Sequence, residues 1–488
     1  MGGISSEYRL ALRVGTGLFL IYLAFLAPGI YSSDGASTLA VSESLVTQHS
    51  FNVPENVGTP GTGGKFFSNW YPLLSLCAVP FVLVAYLVSH ATSLPFHYLA
   101  GVSVLPMMGA LTAATAGAVV VLAQRLGADE KGAWLAGVSF GLGTVALAYA
   151  RVFYADSLLA FLTIFAVCLT IGGSRSELAT AACLAGLAVL AKPTGVLLAP
   201  ILAGYLFVKR APLRICLLPL FGAGVAGVLY MGYNVMRFGH PLDFGRAVGF
   251  DSSVFPSGFS GLLVSPGCGL FWYCPPAVLA LFVFRRAVKN NLWEVLAVVA
   301  VFAAFHVLHA FYLDWRGGWS WGPRYLLPGI PGLCALAGLM QGRGRKALVA
   351  LTVLGFFVSA PTLFTFYERY FAELSQQGIH VGTDTAWSLS RAPLLHIWPG
   401  AFREVQDARG MNASELFGQR EIPRYSVEES RALRIVAVWW WVLPVVHVPR
   451  WIGFLVAMLF VMLGSVILAR KPLPPWRPLA QERPVFVP

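Results

Sequence analysis

The sequence contains few charged residues. Asp, Glu, Lys and Arg make up 11% of its 488 residues, whereas 57% are hydrophobic, and the mean hydropathy is +0.70. This composition excludes a soluble globular domain. Apolar stretches of roughly 17–25 residues recur from Leu10 to Ala469, and each is long enough to cross about 30 Å of hydrocarbon as a helix. The composition therefore predicts an all-α protein that crosses a membrane many times.

Cysteine is also scarce, with seven residues in the whole chain and no pair at CxxC spacing. Most of them lie in apolar stretches, where a free cysteine behaves as a small hydrophobic residue. Cys268 and Cys274 lie near the expected outer face and could pair in an oxidising compartment. The sequence has no P-loop, no GxGxxG motif in a strand-turn-helix unit and no HExxH motif in a suitable context. Nucleotide-driven transport and zinc proteolysis therefore have no support.

The formal net charge of +12 comes from basic clusters in short loops between the apolar stretches, so it indicates membrane orientation and no nucleic-acid partner. With the N-terminus inside, all the basic loops fall on the inner side only if the segment from Pro72 to His90 does not cross. We therefore expect this segment to be an interfacial or re-entrant helix. Pro80 and the preceding aromatic run 66–71 suit a helix in the headgroup region.

The predicted organisation is about 12 transmembrane helices, with both termini inside and juxtamembrane helices outside. The expected spans are approximately 10–30, 98–123, 134–150, 157–173, 178–191, 194–208, 213–236, 270–284, 293–313, 324–340, 347–366 and 451–469. We predict four parts: a transmembrane module (1–366, first outer loop 31–97), a small polar extracytoplasmic subdomain (367–433), an interfacial segment with the last span (434–470), and a Pro-rich cytoplasmic tail (471–488).

Charged residues on the outer side gather at the ends of different spans. Ionisable groups at membrane depth are costly and usually face a cavity or a partner. Helices that bring these ends together would form a polar pocket, in which the acids could accept protons and the bases could bind phosphate. The residues concerned are Asp34, Lys65, Arg151, Asp156, Lys192, Asp314, Arg316 and Arg324.

Four segments carry a family resemblance: Ser32-Ser-Asp-Gly35, Arg151-Val-Phe-Tyr-Ala-Asp156, Ala191-Lys-Pro-Thr194 and Gly318-Trp-Ser-Trp-Gly-Pro-Arg-Tyr325. They resemble the GT-C superfamily of membrane glycosyltransferases, in the bacterial branch of protein O-mannosyltransferases and lipid A aminoarabinose transferases. Two further segments, 233–241 and 265–275, resemble uncharacterised bacterial members. The likeness covers residues 10 to about 345 in the correct order.

The resemblance implies an enzyme of the bacterial inner membrane that works on the periplasmic face. It would take a sugar from a polyprenyl-phosphate carrier and give it, with inversion, to a hydroxyl of a glycan, lipid or protein. The first-loop acid of the family falls on Asp34, which is then the general base. Lys192 and Arg324, with Arg151, would stabilise the leaving phosphate, and Asp156 would orient a cation or hold one of these bases.

Each residue also has a purely structural interpretation. Asp34 could cap the next helix, because Ser-Ser-Asp-Gly suits a helix start. Arg151 and Asp156 could form a structural ion pair, and Lys192 could extend to the membrane interface beside a proline-broken helix. Arg324 follows Gly-Pro at the start of a span, where the helix dipole disfavours a cation, so it indicates an anionic partner.

Further substrate contacts are expected from Lys65, Tyr71, Tyr154, Tyr325 and Asp314. Lys65 follows a glycine-rich run whose flexibility suits either a loop that closes over substrate or a plain linker. Asp314 and its neighbour Arg316 could instead form a loop pair.

Two questions stay open at the level of sequence. Relatives often have two adjacent acids in the first loop, whereas Asp34 is followed by Gly35, so a divalent metal is possible but nothing requires one. The other functions compatible with these charges are a polyprenyl-lipid flippase or transporter and a non-catalytic carrier-lipid binding protein. A transporter would often show an internal repeat with broken helices, and none is found. A non-catalytic carrier-lipid binding protein would have little need of Asp34.

Overall fold

A computed structural model of the protein describes residues 6–92, 94–409, 438–446 and 448–470. Within these ranges the chain is largely helical. Its strands are β1 (Thr59–Pro60) and β2 (Phe66–Phe67), which pair antiparallel in the first outer loop. The helices of the first half are α1 (Ser6–Ala24), α2 (Ser33–Gln48), α3 (Pro72–Ala91), α4 (Phe96–Ser103), α5 (Leu105–Arg125), α6 (Glu130–Gly143), α7 (Ala146–Tyr149), α8 (Ala155–Gly172), α9 (Arg175–Ala191), α10 (Leu198–Val208), α11 (Leu213–Cys216) and α12 (Leu218–Phe238).

The second half continues the same architecture. Short 3-10 turns join several helices, notably at Pro193–Leu197, Arg324–Leu326 and Ala360–Leu363. The helices are α13 (Phe255–Val264), α14 (Leu270–Tyr273), α15 (Pro275–Val278), α16 (Ala280–Asn290), α17 (Leu292–Ala310), α18 (Ile330–Ala337), α19 (Arg343–Ser359), α20 (Glu368–Gln376), α21 (Thr383–Ala386), α22 (Pro393–Arg409) and α23 (Arg450–Ala469).

Seven helical segments of the described chain are long and apolar enough to cross a membrane. This confirms the expected helical membrane protein, whereas the count of about twelve crossings rests on further, shorter helices. The seven segments are Pro72–Ala91, Phe96–Arg125, Ala155–Gly172, Leu213–Phe238, Leu292–Ala310, Arg343–Leu363 and Arg450–Ala469.

The helix ends meet in two groups. At one end, here called the Tyr8 end, Arg125 donates to the Tyr8 hydroxyl and Arg13 donates to the carbonyl of Arg470. Asn291 likewise donates to the carbonyl of Leu126 at this end. The other end, here called the Asp34 end, collects the first outer loop and the expected site residues. The core between the two ends is built mainly of alanine, valine and leucine, which allow helices to pack closely.

Helix α3 starts and finishes beside residues of the Asp34 end. Near its beginning, the Ser75 hydroxyl donates to the carbonyl of Thr38. Just after its end, His97 at the start of α4 contacts Glu43 of α2 at 2.7 Å. The following helix α5 then runs from the Asp34 end to Arg125 at the Tyr8 end. Helix α3 is one of the segments long and apolar enough to span a membrane, so the expectation that it does not cross stays a prediction.

A buried arginine joins the first outer loop to α12. Arg237 is fully buried; it donates to the carbonyls of Ser68 and Trp70 and to the Asn234 side chain. Its guanidinium carbon lies 3.8 Å from the centre of the Tyr233 ring. The end of α12 therefore holds the loop segment that leads into α3.

The expected disulfide, the outer subdomain and the tail have different outcomes. Cys268 and Cys274 are both buried free thiols, so the disulfide considered for them is not present. Helices α20 to α22 occupy 368–409, the first part of the predicted 367–433 subdomain. Residues 410–437 and the predicted tail 471–488 lie outside the described ranges.

Candidate active site

Asp34 lies in the first turn of α2, and its neighbour Ser32 provides the helix cap. The Ser32 hydroxyl accepts a 3.1 Å hydrogen bond from the backbone N–H of Gly35. The cap is therefore supplied by Ser32, and the interpretation of Asp34 as the helix cap is wrong. Gly35 is needed for packing, because a Cβ atom there would lie 2.7 Å from Ser32 Oγ and 3.2 Å from the carbonyl oxygen of Phe153.

Lys192 and Asp156 form a buried ion pair. Lys192 ends α9 in an extended conformation, because Pro193 begins a separate 3-10 turn. Asp156 lies in the first turn of α8. Lys192 Nζ is 2.7 Å from Asp156 Oδ1, and the two side chains are only 8% and 7% exposed. Asp156 thus pairs with Lys192 and Arg324, whereas the sequence suggests Arg151 as its partner.

Arg324 connects the two acids. The left-handed Gly322 (φ 65°) and Pro323 direct the chain into a 3-10 turn at Arg324. Arg324 Nη1 lies 3.1 Å from Asp34 Oδ2, and Nε lies 3.7 Å from Asp156 Oδ2. Two acids and two bases from four separate parts of the chain therefore form one linear network, with Asp34 at one end and Lys192 at the other.

Aromatic rings surround this network. The Arg324 guanidinium carbon is 4.9 Å from the centre of the Tyr154 ring, and Lys192 Nζ is 4.4 Å from that of Tyr325. His309 stacks on Tyr325 with ring centres 4.4 Å apart. Such contacts hold the cations in place while leaving their charge uncompensated by further acids.

Arg246 is a site residue that the sequence reasoning missed. It lies in the loop after α12, where its guanidinium carbon is 4.2 Å from the centre of the Trp70 ring and Nη2 donates to the Tyr71 hydroxyl at 2.5 Å. Burial raises the pKa of Tyr71 to about 12, so this phenol is a neutral acceptor. The sequence analysis expects this loop on the outer side, where a cation departs from the positive-inside pattern, and that departure was the available signal.

All these groups border one cavity of about 310 Å³ at the Asp34 end. Its polar side is the ion-pair network with Arg246 and Thr194, whose buried hydroxyl has no hydrogen-bond partner among the described residues. Its apolar side includes Val196, Leu197 and Val248. Of the residues expected to bind substrate or catalyse, the cavity is lined by Asp34, Tyr71, Tyr154, Asp156, Lys192, Arg324 and Tyr325.

Three expected residues lie elsewhere. Arg151 is buried but does not line the cavity: it donates to the carbonyl of Thr362 and faces the Phe366 ring, because the chain turns between it and Tyr154. Lys65 is exposed on the hairpin turn between β1 and β2 and is likewise absent from the lining. Asp314 accepts from the backbone N–H of Gly318 and does not line the cavity either.

The expected loop pair between Asp314 and Arg316 is not among the ion pairs of the described residues. Arg316 instead donates to Thr385 and to the carbonyl of Gly382. It therefore fastens the loop before Arg324 to the segment that carries α21.

The carboxylates of the cavity do not fit a divalent cation in this arrangement. Asp34 and Asp156 are joined by the guanidinium of Arg324, and Asp156 also contacts Lys192. A metal ion between the acids would have to displace two positive charges. Among the described residues, no group of three His, Cys, Asp or Glu side chains is placed to hold a metal.

Solved structures of membrane enzymes resemble this fold. ArnT from Cupriavidus metallidurans in the apo state is 14% identical, with a TM-score of 0.47 over 94% of this chain and 76% of that chain. The same protein bound to undecaprenyl phosphate is 15% identical, with a TM-score of 0.47 over 93% of this chain and 77% of that chain. A third structure is the oligosaccharyltransferase AglB from Archaeoglobus fulgidus, in complex with an inhibitory peptide and a dolichol-phosphate. It is 13% identical, with a TM-score of 0.42 over 87% of this chain and 59% of that chain.

No family model and no curated protein matches the sequence. The resemblance to the GT-C superfamily therefore rests on the sequence segments themselves. At these identities the likeness is one of fold.

Proposed function

We propose that this protein is a glycosyltransferase that moves a sugar from a polyprenyl-phosphate carrier to a hydroxyl acceptor on the extracytoplasmic face of the membrane. The observation that carries the proposal is the Asp34–Arg324 contact at the wall of the cavity. It joins a carboxylate that can accept a proton to a cation that can bind phosphate, the two functions that this transfer requires.

The charge of the cavity suits a phosphate ligand. Lys192, Arg324 and Arg246 supply three positive charges, and Asp34 and Asp156 supply two negative charges. One positive charge remains, and Arg246 carries it without a carboxylate partner among the described ion pairs. A phosphodiester with a single negative charge would neutralise the site, and guanidinium groups bind its oxygens through paired donors. The Thr194 hydroxyl is a further donor for the same ligand.

Asp34 is the group best placed to act as the base. Its side chain is 23% exposed, whereas that of Asp156 is 7% exposed. Arg324 contacts Oδ2, and Oδ1 accepts a long 3.4 Å hydrogen bond from the Ser33 hydroxyl. Each carboxylate oxygen has two lone pairs, so Asp34 can still accept the proton of an acceptor hydroxyl. Asp156 orients Lys192 and Arg324 and takes no proton.

The proposed transfer is a single displacement with inversion. The acceptor oxygen forms a bond to the anomeric carbon of the sugar as the bond from that carbon to the phosphate oxygen breaks. The acceptor proton passes to Asp34, and the electron pair of the broken bond leaves with the polyprenyl phosphate. Arg324, Lys192 and Arg246 stabilise the additional negative charge of that leaving group.

The apolar side of the cavity suits the lipid part of the donor. Val196, Val248 and Phe250 are 50%, 41% and 53% exposed, and they lie next to a polar site that is mostly buried. Such an apolar wall would cost little to cover with an isoprenoid chain and would bring the phosphate to the cations.

The same proposal includes the membrane topology. About twelve crossings would require α1, α6, α9, α10, α16 and α18 to cross, with their flanking turns, in addition to the long apolar segments other than α3. The basic loops at the Tyr8 end include Arg210, Arg286 and Lys346, so the positive-inside rule puts that end in the cytoplasm. The cavity would then open on the periplasmic face of a bacterial inner membrane, and 367–433 would form an outer subdomain.

The alternatives lack comparable support. A flippase or transporter needs polar groups along the membrane depth, whereas the acids and bases of this cavity gather at one end of the bundle. A carrier-lipid binding protein would need Arg246 and Lys192 but would gain nothing from a carboxylate beside the phosphate site.

The experiment compares purified wild-type protein with Asp34→Asn. Sugar transfer is measured from a panel of polyprenyl-phosphate sugars to a membrane extract, and binding of the donor lipid is measured in parallel. We expect the variant to bind donor and to lose transfer by roughly 10²–10⁴-fold. Asp314→Asn is the matched control, because it changes a nearby acid that does not line the cavity. Equal transfer by Asp34→Asn and wild type would refute the base assignment, and donor binding without transfer by either protein would favour the carrier-binding alternative.

A further inference from the structure

His309 lies in the last turn of α17 and borders the cavity at the Asp34 end. It is buried, with 4% of its surface exposed. The proposed transfer uses aspartates, a lysine and arginines, but it gives this histidine no role. The hydrogen bond and the ring contacts of His309 indicate what it can bind.

The hydrogen bond of one ring nitrogen determines the state of the other. Nδ1 of His309 lies 2.8 Å from the backbone carbonyl oxygen of Phe305. A carbonyl only accepts hydrogen bonds, so Nδ1 carries a proton and donates it. A second proton, on Nε2, would place a positive charge on a buried ring beside Lys192, which contacts the same Tyr325 ring as His309 does. His309 is therefore neutral, and the lone pair of Nε2 is a hydrogen-bond acceptor.

Two aromatic contacts fix the plane of the His309 ring. It stacks on Tyr325 with ring centres 4.4 Å apart and an interplanar angle of 19°, and it lies nearly parallel to Phe305 at 6.3 Å and 11°. Nε2 has no hydrogen-bond partner among the described residues, and it is not one of the partnerless nitrogens that are sealed inside the described part of the protein. Because the ring borders the cavity, Nε2 presents a fixed acceptor to the ligand of that cavity.

The ligand of Nε2 must supply a proton. A phosphodiester at neutral pH has none to donate, so the phosphate of the donor is not the partner. In the proposed transfer the acceptor hydroxyl lies at Asp34, whereas His309 shares the Tyr325 ring with Lys192, at the other end of the ion-pair network. The remaining hydrogen-bond donors are the hydroxyl groups of the sugar that is attached to the phosphate.

We propose that Nε2 of His309 accepts a hydrogen bond from one hydroxyl of the donor sugar, so that the protein selects a sugar in which this hydroxyl is free. The inference rests on the proposed function, because its ligand is the sugar of the polyprenyl-phosphate donor. A site that hydrogen-bonds a hydroxyl rejects the analogue without it, because the buried group then has no partner. A deoxy or O-methyl sugar at this position should therefore bind poorly.

The test measures the Kd of the full-length protein in detergent, without acceptor. The ligands are undecaprenyl phosphate and its glucose, mannose, galactose and arabinose derivatives. The sugar that wild type prefers most over undecaprenyl phosphate is then compared with its monodeoxy forms. We expect one deoxy form to bind about 5- to 50-fold more weakly. His309→Phe keeps a ring against Tyr325 and should lose this one discrimination, with its affinity for undecaprenyl phosphate unchanged.

Two further variants separate the acceptor from the packing of the ring. His309→Gln provides an amide oxygen in place of Nε2 and should restore part of the discrimination. His306→Phe is the matched control on the same helix. His306 is also 4% exposed, but its Nε2 contacts the carbonyl of Phe259 and it does not line the cavity. His306→Phe should therefore keep the wild-type preference.

Two results would overturn the proposal. One is a wild-type protein that binds none of the sugar-loaded carriers more tightly than undecaprenyl phosphate. The other is the same set of deoxy preferences in His309→Phe as in wild type, which would leave His309 as a packing residue. Because no acceptor is present, these measurements do not depend on transfer. A protein with the expected preference that transfers no sugar would retain this sugar contact and lose the proposed transferase function.

Discussion

The carboxylate of Asp34 lies 3.1 Å from the guanidinium of Arg324, although 290 residues separate them in the chain. The same guanidinium reaches Asp156 with its Nε. Arg324 therefore links the proposed base to the buried ion pair of Lys192, and any anion that binds to it changes the charge balance at Asp34. In the proposed transfer, this one side chain would couple binding of the donor to activation of the acceptor.

Arg324→Lys should lower sugar transfer by about 10²–10³-fold. A lysine ammonium is a single charged point, so it cannot contact both carboxylates in the way a planar guanidinium does. Transfer rates of the purified variant, measured at saturating donor, test this. Arg285→Lys is a matched change of an exposed arginine at the Tyr8 end, and it should be neutral. Wild-type activity in Arg324→Lys would mean that charge alone, without geometry, suffices.

Asp156→Asn should destabilise the protein by about 3–5 kcal/mol, because it leaves the Lys192 charge buried without its partner. The double variant Asp156→Asn with Lys192→Gln removes both charges and should recover most of this stability, while transfer stays abolished. Thermal unfolding of the three proteins in the same detergent gives the comparison. A double variant as unstable as the single one would contradict the pairing.

Arg246→Ala should weaken donor binding by about 10- to 100-fold, which is the value of a charge-assisted hydrogen bond to phosphate. Because Arg246 reaches the cavity from an outer loop and does not contact Asp34 in the described structure, KM for the donor should rise more than kcat falls. Steady-state kinetics with varied donor separates the two effects. Arg210→Ala, at the Tyr8 end, is the control. An equal loss in kcat with unchanged KM would exclude a role in donor binding.

Asp314→Asn should stabilise the protein at neutral pH. Burial raises the pKa of Asp314 above its ordinary value, so the folded protein holds this proton more tightly than the unfolded chain does. Stability from this group is therefore present at low pH and falls as pH rises through the raised pKa. Asparagine retains the acceptor for the Gly318 N–H and removes the charge.

The measurement for Asp314 is unfolding of wild type and variant across pH. The advantage of Asp314→Asn should be greatest near pH 7 and should disappear as the pH approaches the ordinary carboxyl range near 3.8. An advantage that does not vary with pH would show that the effect does not come from titration of this carboxyl.

The sequence predicts the helical class and the convergence of Asp34, Asp156, Lys192 and Arg324. Charges at the ends of apolar spans must face a polar cavity or a partner, and this limits where their side chains can lie. The partner of each charge depends on the turns between helices. The chain turns at residues 152–154, so Arg151 and Asp156 face different parts of the protein, and this rotation cannot be derived from residue type.

Arg246 escaped prediction for a similar reason. It lies in a loop with no helical periodicity, and only tertiary structure brings it against Trp70 and Tyr71 from an earlier loop. Conversely, Lys65 looked promising beside a glycine-rich run and aromatic residues, yet the hairpin between β1 and β2 turns its side chain to the surface.

The buried contacts of Arg237 determine which wall of the cavity is held in place. Arg237 holds the backbone carbonyls of Ser68 and Trp70, so this wall of the cavity is fixed to the end of α12. The segment 239–251 also lines the cavity; none of its residues is buried, and it starts at the left-handed Gly239. Arg246 joins this exposed segment to Trp70 and Tyr71, so a ligand that enters between them would have to separate a mostly solvent-facing segment from a wall that is fixed to α12.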